Sequence, residues 1–306
     1  IHAWDVWNEP WITAWWAVGY DKNQGTGRAG YVRSPTARAD FARLMETAYT
    51  NVKVVDPQAI VLGINTTTGE GGTENFSGDQ WTQGVAEAGG LKYLDAIAYH
   101  HYTSDVNLRP DDDVERGHQT AVGYVADQHG GKLTWPVWMT EGQNALKLAL
   151  PDMYHHTLPN PPADSDPFLA GDRQVRFLTA LRAQGVQKAF LYSMHSHSFF
   201  DGGGSWRAIT TGEGFLHAQG AAIAALTRQI EDHHFKRREQ AAEGVWKYVF
   251  QADDGSRAVA ILSPDTTHEE YRLPTGALDL FGNPILESTP IGKTVCYLPL
   301  DEEATR

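Results

Sequence analysis

The stretch "IHAWDVWNEP" at residues 1–10 governs the reading of the rest of the chain. Ile1, Trp4, Val6 and Trp7 are apolar, aromatic or β-branched, and no breaker interrupts residues 1 to 8, so the segment reads as a strand. Pro10 ends it, because proline brings no N–H to a ladder and biases the residue before it away from the helical region. The expectation is a strand that delivers Glu9, extended, to its carboxyl edge beside indole rings.

Outward from that strand the chain alternates. A Gly-rich loop (25–30) leads to a helical pattern from Thr36 to Val55, where Phe41, Leu44, Met45, Ala48, Tyr49 and Val52 share one face. Strands are expected at 59–65, 94–102, 135–141 and 188–194. Helices are expected at 78–91, 113–128, 172–184 and 214–228. The strands are apolar throughout instead of alternating, as a parallel sheet covered on both faces requires. Polar residues gather at the strands' carboxyl ends: Asn8 and Glu9, Asn65, His100 to Tyr102, Glu141, and His195 with His197. That edge carries the active site in a β/α barrel. A doubly wound open sheet would favour a Gly-rich phosphate turn after the first strand, and here that turn is Glu-Pro-Trp.

From about Asp232 the texture changes. "WKYVFQADDGSRAVAILS" (246–263) reads as a hairpin turning at Asp253-Asp254-Gly255, followed by short β-rich pieces up to "TVCYLPL" (294–300). The expected organisation is a β/α catalytic domain over 1–232 and a small β-sandwich over 233–306.

Composition narrows the partners. The 306 residues carry 25 Lys and Arg against 38 Asp and Glu, a net charge of −13, which disfavours phosphate backbones and anionic membranes. No apolar run approaches the roughly 20 residues that a bilayer demands. A lone cysteine, Cys296, makes no internal disulfide, so the compartment stays open between secreted and cytoplasmic. Ten tryptophans are many for this length, and indole faces suit sugar rings.

Two strings concentrate the chemistry, "WDVWNEP" (4–10) and "VWMTEGQNA" (137–145). Each closes an apolar strand on a glutamate, 132 residues apart, with three further βα units between them. In a barrel the two acids would face each other across one mouth. Glycosidic hydrolysis needs such a pair, one acid to protonate the leaving oxygen and one carboxylate to act on the opposite face of the ring. A single glutamate at a strand end is more often just solvated; the pair is not so easily dismissed.

With Asn8-Glu9-Pro10 after "WDVW" and Glu141 closing a later strand, the chain resembles clan A of the glycoside hydrolases, retaining (β/α)8-barrel enzymes. "DAIAYHHY" adds Asp95, Ile97, His100 and Tyr102, similar to the D-x-I-x-x-H-x-Y pattern of family 39 and related members, and the carboxyl-terminal sandwich resembles those of families 39, 30 and some family 5 relatives. The resemblance implies Glu9 as acid/base, Glu141 as nucleophile, Asn8 as donor to the sugar 2-hydroxyl, Tyr102 supporting the nucleophile and His100 lining the sugar subsite. Trp11 would contact substrate, and Trp206 would take the place of the tryptophan that often ends the eighth strand. The strands present would be the fourth to the eighth of an incomplete TIM-type barrel. Its two bare edges would need cover from a missing amino-terminal segment, a second copy or another polypeptide. An oligosaccharide or β-glycoside is the expected substrate, with no cofactor, no catalytic metal, no nucleic acid and no membrane.

The remaining signals have plainer readings. The His-His and His-x-His pairs lack the His-Glu-x-x-His spacing of zinc hydrolases. "RPDDDVERG" (109–117) lacks calcium-loop spacing and reads as a helix start with acids at its positive end. Trp15 and Trp16 suit an aglycone platform and loop packing equally well. A second function class stays open, a carbohydrate-binding fragment whose aromatic cleft survives without catalysis.

Overall fold

The computed structural model describes residues 2–23, 25, 27–71, 75–103, 109–144, 167–194, 209–210 and 216–300. Its elements are, in order, β1 (Ala3–Asp5), β2 (Ala17–Tyr20), β3 (Tyr31–Arg33), α1 (Ala37–Val55), β4 (Ile60–Thr67), α2 (Gly78–Glu87), β5 (Ala96–Thr103), α3 (Pro110–Gln128), β6 (Val137–Asn144), α4 (Pro167–Ala183), β7 (Val186–Leu191) and α5 (Ala218–Ile230). The carboxyl-terminal strands follow: β8 (His233–Ala242), β9 (Val245–Ala252), β10 (Ala258–Pro264), β11 (His268–Arg272), β12 (Pro290–Ile291) and β13 (Cys296–Leu300).

The alternation expected from the apolar runs is present. Five strands form a parallel half-barrel sheet in the order β1-β4-β5-β6-β7. Contacts divide the chain into two compact units. The first joins Ile1–Tyr102, Glu115–Gly142 and Val186–Phe190; the second joins Thr103–Val114, Gln143–Gly185 and Leu191–Arg306. In the first unit β4 and β5 are buried almost end to end, as parallel strands covered on both faces must be. Phe41 and Met45 of α1 and Trp81 and Val85 of α2 are completely buried, one apolar stripe on each helix. Asp95 lies at the amino-terminal end of β5, where its carboxylate accepts from Val61 N and Lys53 Nζ, each at 2.8 Å. It ties α1 to the sheet from the edge opposite the rim.

The two ends of this sheet differ from its middle. Among the described residues β1 and β7 each pair on one side only, and Trp4 (46% exposed) and Phe190 (50%) stand open to solvent there.

Two local expectations need correction. The opening strand runs for three residues, not eight, and Glu9 is not extended: its φ is +50°. The chain leaves the ladder because Asn65 Nδ2 donates both to Asp5 Oδ1 and to Trp7 O, capturing the carbonyl that a further ladder step would use. Glu9 then opens a turn in which Ile12 N donates to Glu9 O at 3.0 Å. A short antiparallel ribbon, β2 with β3, flanks the Gly-rich loop.

The second unit centres on an antiparallel sheet ordered β13-β10-β9-β8, with β11 and β12 forming a separate ribbon. The expected hairpin is β9 with β10, and Gly255 takes the positive φ its turn requires. Ala222, Leu226 and Ile230 of α5 and Val175 of α4 share one apolar cluster with Tyr248, Phe250, Val259 and Ile261 of the sheet. A buried polar knot lies in the same unit. Arg176 makes five hydrogen bonds among the described residues, to both oxygens of Asp172, to Ser263 Oγ and to the carbonyls of Pro264 and Lys293. Asp111, at the first turn of α3, accepts from Tyr248 OH at 2.6 Å and from Ser263. Cys296 is a free, buried thiol whose pKa burial pushes up to about 12.

Candidate active site

The carboxyl ends of β4, β5 and β6, with the turn after β1, bring four of the sequence-expected residues together within the first unit. One carboxylate oxygen of Glu9, one ring nitrogen of His100 and one carboxylate oxygen of Glu141 all lie within 4.8 Å of one another. Tyr102 completes the group, its hydroxyl donating to Glu141 Oε1 at 2.6 Å. Residues 132 apart in sequence thus share one rim.

Each side chain arrives there for a local reason. On β5, alternation places His100 and Tyr102 on one face of the strand, two residues apart. Glu141 sits in β6, where the buried run Val137 to Met139 gives way to half-buried positions. Glu9 is delivered by the turn that Asn65 enforces. Asn65 itself stands at a bulge in β4, between Gly63 and Thr66, where Asn65 (φ +47°) and Ile64 (φ +65°) both take the left-handed conformation, tolerated by asparagine and rare for a β-branched side chain. Three non-glycine residues with positive φ, costing of order 1 kcal/mol or more each, all lie in the turn after β1 or at the bulge of β4 that holds that turn.

The two carboxylates are held differently. Glu9 Oε2 accepts from the indole Nε1 of Trp15 at 3.0 Å, and Glu9 Oε1 lies 3.3 Å from His100 Nδ1. An indole N–H only donates, so Oε2 is committed as an acceptor and a proton on Glu9 belongs on Oε1, the oxygen facing His100. Glu141 Oε1 accepts from the Tyr102 hydroxyl instead. Behind His100, the Asp5 carboxylate is crowded although the residue as a whole stays exposed. Desolvation pushes its pKa up, opposed by the hydrogen bond from Asn65 and by the charge of His100. The open side of the residue limits that shift.

The aromatic residues around the pair are placed in different ways. Trp11 is buried, 5% exposed, with its ring edge-on to His100 at 5.1 Å, so it braces the histidine. Trp7 and Trp15 are the open indoles, 44% and 45% exposed. Trp16 packs inward, donating to Ala37 O and meeting Phe41 edge-on, which anchors the loop on α1. Asn8 is exposed, next to Glu9 on the rim. Trp206, His195 and His197 lie outside the described residues. The contact from Trp15 to Glu9 had no sequence signal beyond an excess of indoles close behind a glutamate.

No protein-family model matches the chain, and no curated protein matches it. Solved structures do. A family 39 glycoside hydrolase from the gut symbiont Bacteroides cellulosilyticus WH2 superimposes with a TM-score of 0.62 at 15% identity, over 98% of this chain and 58% of that one. A family 51 α-L-arabinofuranosidase from Bifidobacterium longum gives 0.51 at 11% identity, over 93% and 64%. A β-porphyranase of glycoside hydrolase family 86 from the human gut bacterium Bacteroides plebeius gives 0.51 at 13%, over 96% and 55%. The chain therefore spans less than two thirds of the length of each of these neighbours. At these identities the likeness is one of fold, and the fold is one that this chain shares with these glycoside hydrolases.

Proposed function

We propose that the chain is a retaining glycoside hydrolase acting on a β-linked sugar, with Glu9 as acid/base and Glu141 as nucleophile. One observation carries this reading: carboxylate oxygens of the two residues approach within 4.8 Å. Retaining enzymes hold the pair about 5–5.5 Å apart, whereas inverting enzymes leave about 6.5–9.5 Å for a water. The fold supports the reading but does not carry it.

The chemistry runs in two displacements. Glu141 attacks the anomeric carbon while Glu9 passes the proton on Oε1 to the glycosidic oxygen, so the C–O bond breaks and a glycosyl ester forms on Glu141. Water then gives a proton to Glu9 and attacks the same carbon, releasing Glu141 as a carboxylate and the sugar with its configuration retained. Tyr102 steadies the negative charge on Glu141 before attack and after release. His100 holds the Oε1 side of Glu9, and Asn8 reaches the sugar 2-hydroxyl. The open faces of Trp7 and Trp15 lie on the acid/base side and suit the leaving group. No step calls for a metal or organic cofactor.

A second reading has its own observation. Among the described residues the five-stranded sheet leaves β1 and β7 each paired on one side, and a site on such an open sheet binds sugar without turning it over. An aryl β-glycoside panel separates the two readings. A catalyst releases chromophore and its first-formed sugar, followed by proton NMR, is the β-anomer. A binder releases nothing, and an α-anomer appearing first would remove the two-displacement mechanism.

A further inference from the structure

We propose that Glu9, His100 and Glu141 also form a binding site for a divalent transition cation, best filled by zinc, and that the bound cation competes with the sugar. The proposal concerns regulation of the site described above and rests on the proposed function only for its inhibitory consequence; cation binding stands or falls separately. Its first support is spacing. Zinc bound to imidazole nitrogen and carboxylate oxygen at about 2.0–2.2 Å in a tetrahedron needs donors roughly 3.3–3.6 Å apart. His100 Nδ1 and Glu9 Oε1 are already 3.3 Å apart. Glu141 brings a third donor within 4.8 Å, a gap that a shift of about an ångström in this half-buried side chain closes to the ordinary zinc geometry.

The surroundings give independent support. Metal ligands work when groups behind them fix their orientation. Trp15 Nε1 binds Glu9 through Oε2, which leaves Oε1 directed at the cleft. Tyr102 binds Glu141 through Oε1, which leaves its second oxygen for a cation. The His100 side chain is only 7% exposed, braced edge-on by Trp11, with the Asp5 carboxylate acting on it from behind. The donor set decides among cations. One imidazole and two carboxylates suit zinc and its first-row neighbours, whereas calcium prefers six to eight oxygens and magnesium keeps its waters. Two carboxylates this close repel each other, and a dication cancels their charge. A cation there occupies Glu9 Oε1, the oxygen that carries the proton, and stands between the two acids where the anomeric carbon must lie.

The test is isothermal titration of the purified chain with zinc chloride in a non-coordinating buffer, repeated for Glu9→Gln, His100→Ala and Glu141→Gln. His234→Ala and His268→Ala, which alter exposed or half-exposed histidines of the second unit, serve as controls. One zinc per chain is expected, weakened at least about tenfold in each of the three site variants and unchanged in the controls, with circular dichroism verifying that each variant is folded. Cobalt binding, followed by its visible absorption, should report the same loss in the site variants. Zinc binding that survives all three site variants, or that a control abolishes, overturns the proposal, as does no binding at all. With an aryl glycoside that the chain cleaves, zinc should raise KM and leave kcat unchanged. Turnover that zinc does not inhibit also overturns the proposal, while zinc binding without any turnover retains the site and removes the glycosidase reading.

Discussion

Two groups of polar side chains in this molecule invite comparison, the rim cluster of Glu9, His100, Tyr102 and Glu141, and the knot of Arg176, Asp172, Asp111 and Ser263. Both bring carboxylates together from distant parts of the sequence. In the knot every oxygen is spoken for: Asp172 accepts from two guanidinium nitrogens and from Val295 N at 2.6 Å, and Asp111 from Tyr248 and Ser263. On the rim each carboxylate has one strong donor and keeps an oxygen directed at the cleft. Saturated groups hold a structure; half-buried carboxylates that keep an oxygen directed at the cleft are available for reaction. The comparison predicts that rim substitutions cost rate without stability and knot substitutions cost stability without rate.

The largest effects should come from the rim. Glu141→Gln is expected to lower kcat by about 10⁴-fold or more, as removal of a nucleophile does. Glu9→Gln should lose about 10²–10⁴-fold on substrates whose leaving group needs a proton. Both should unfold at the wild-type urea midpoint. Azide should rescue Glu141→Ala with inverted product, since a small anion entering from the nucleophile's side completes one displacement, which inverts, in place of the two that retain. Wild-type-like rates in either Gln variant would erase the distinction between the two clusters.

Next comes the knot. Arg176→Ala leaves the buried Asp172 carboxylate without its cation and should cost about 3–5 kcal/mol, read from urea unfolding. The fraction that remains folded should keep its wild-type kcat. A matched loss of specific activity per folded molecule would mean that the second unit participates in the chemistry.

A third, smaller effect depends on pH. His118, buried beside Tyr99 and His101, has its pKa pushed down to about 4, mainly by desolvation and then by repulsion from His101. Its Nδ1 has no hydrogen-bond partner among the described residues. A histidine with a lowered folded pKa binds fewer protons folded than unfolded, so its contribution is complete above about pH 6.5 and is lost as pH falls toward 4. The penalty at the bottom of that window is up to about 3 kcal/mol. His118→Phe should flatten the acid limb of the stability curve between those pH values; an unchanged limb would show that other groups control it.

Much of this was legible from the chain. Uninterrupted apolar runs announce strands buried on both faces, and helical stripes such as Phe41 and Met45 announce their cover, because burial imposes period on sequence. The pairing of Glu9 with Glu141 followed from where two apolar runs give way to polar residues. What the sequence hid depends on loops that fold back. No local pattern tells that Asn65 will take Trp7 O from the ladder, turn Glu9 to positive φ and shorten the first strand to three residues. Trp11 and Trp15 have the same composition and nearly the same position, and only the turn between them decides which one is buried against His100 and which one donates to Glu9.

The smallest expected effect refines the rim itself. Tyr102→Phe removes one hydrogen bond to a charged acceptor, worth about 1.5–3 kcal/mol, so kcat/KM should fall roughly 10- to 100-fold with the fold intact. A loss equal to that of Glu141→Gln would give Tyr102 a larger part than steadying the carboxylate.

The most direct measurement is covalent trapping. Incubated with an activated 2-deoxy-2-fluoro β-glycoside matched to the preferred sugar, the protein should gain the mass of one fluorosugar, and peptide mapping should place it on Glu141. An adduct on another residue, or release of fluorosugar with no adduct and inverted configuration, would contradict the assignment of Glu9 and Glu141 as a working pair.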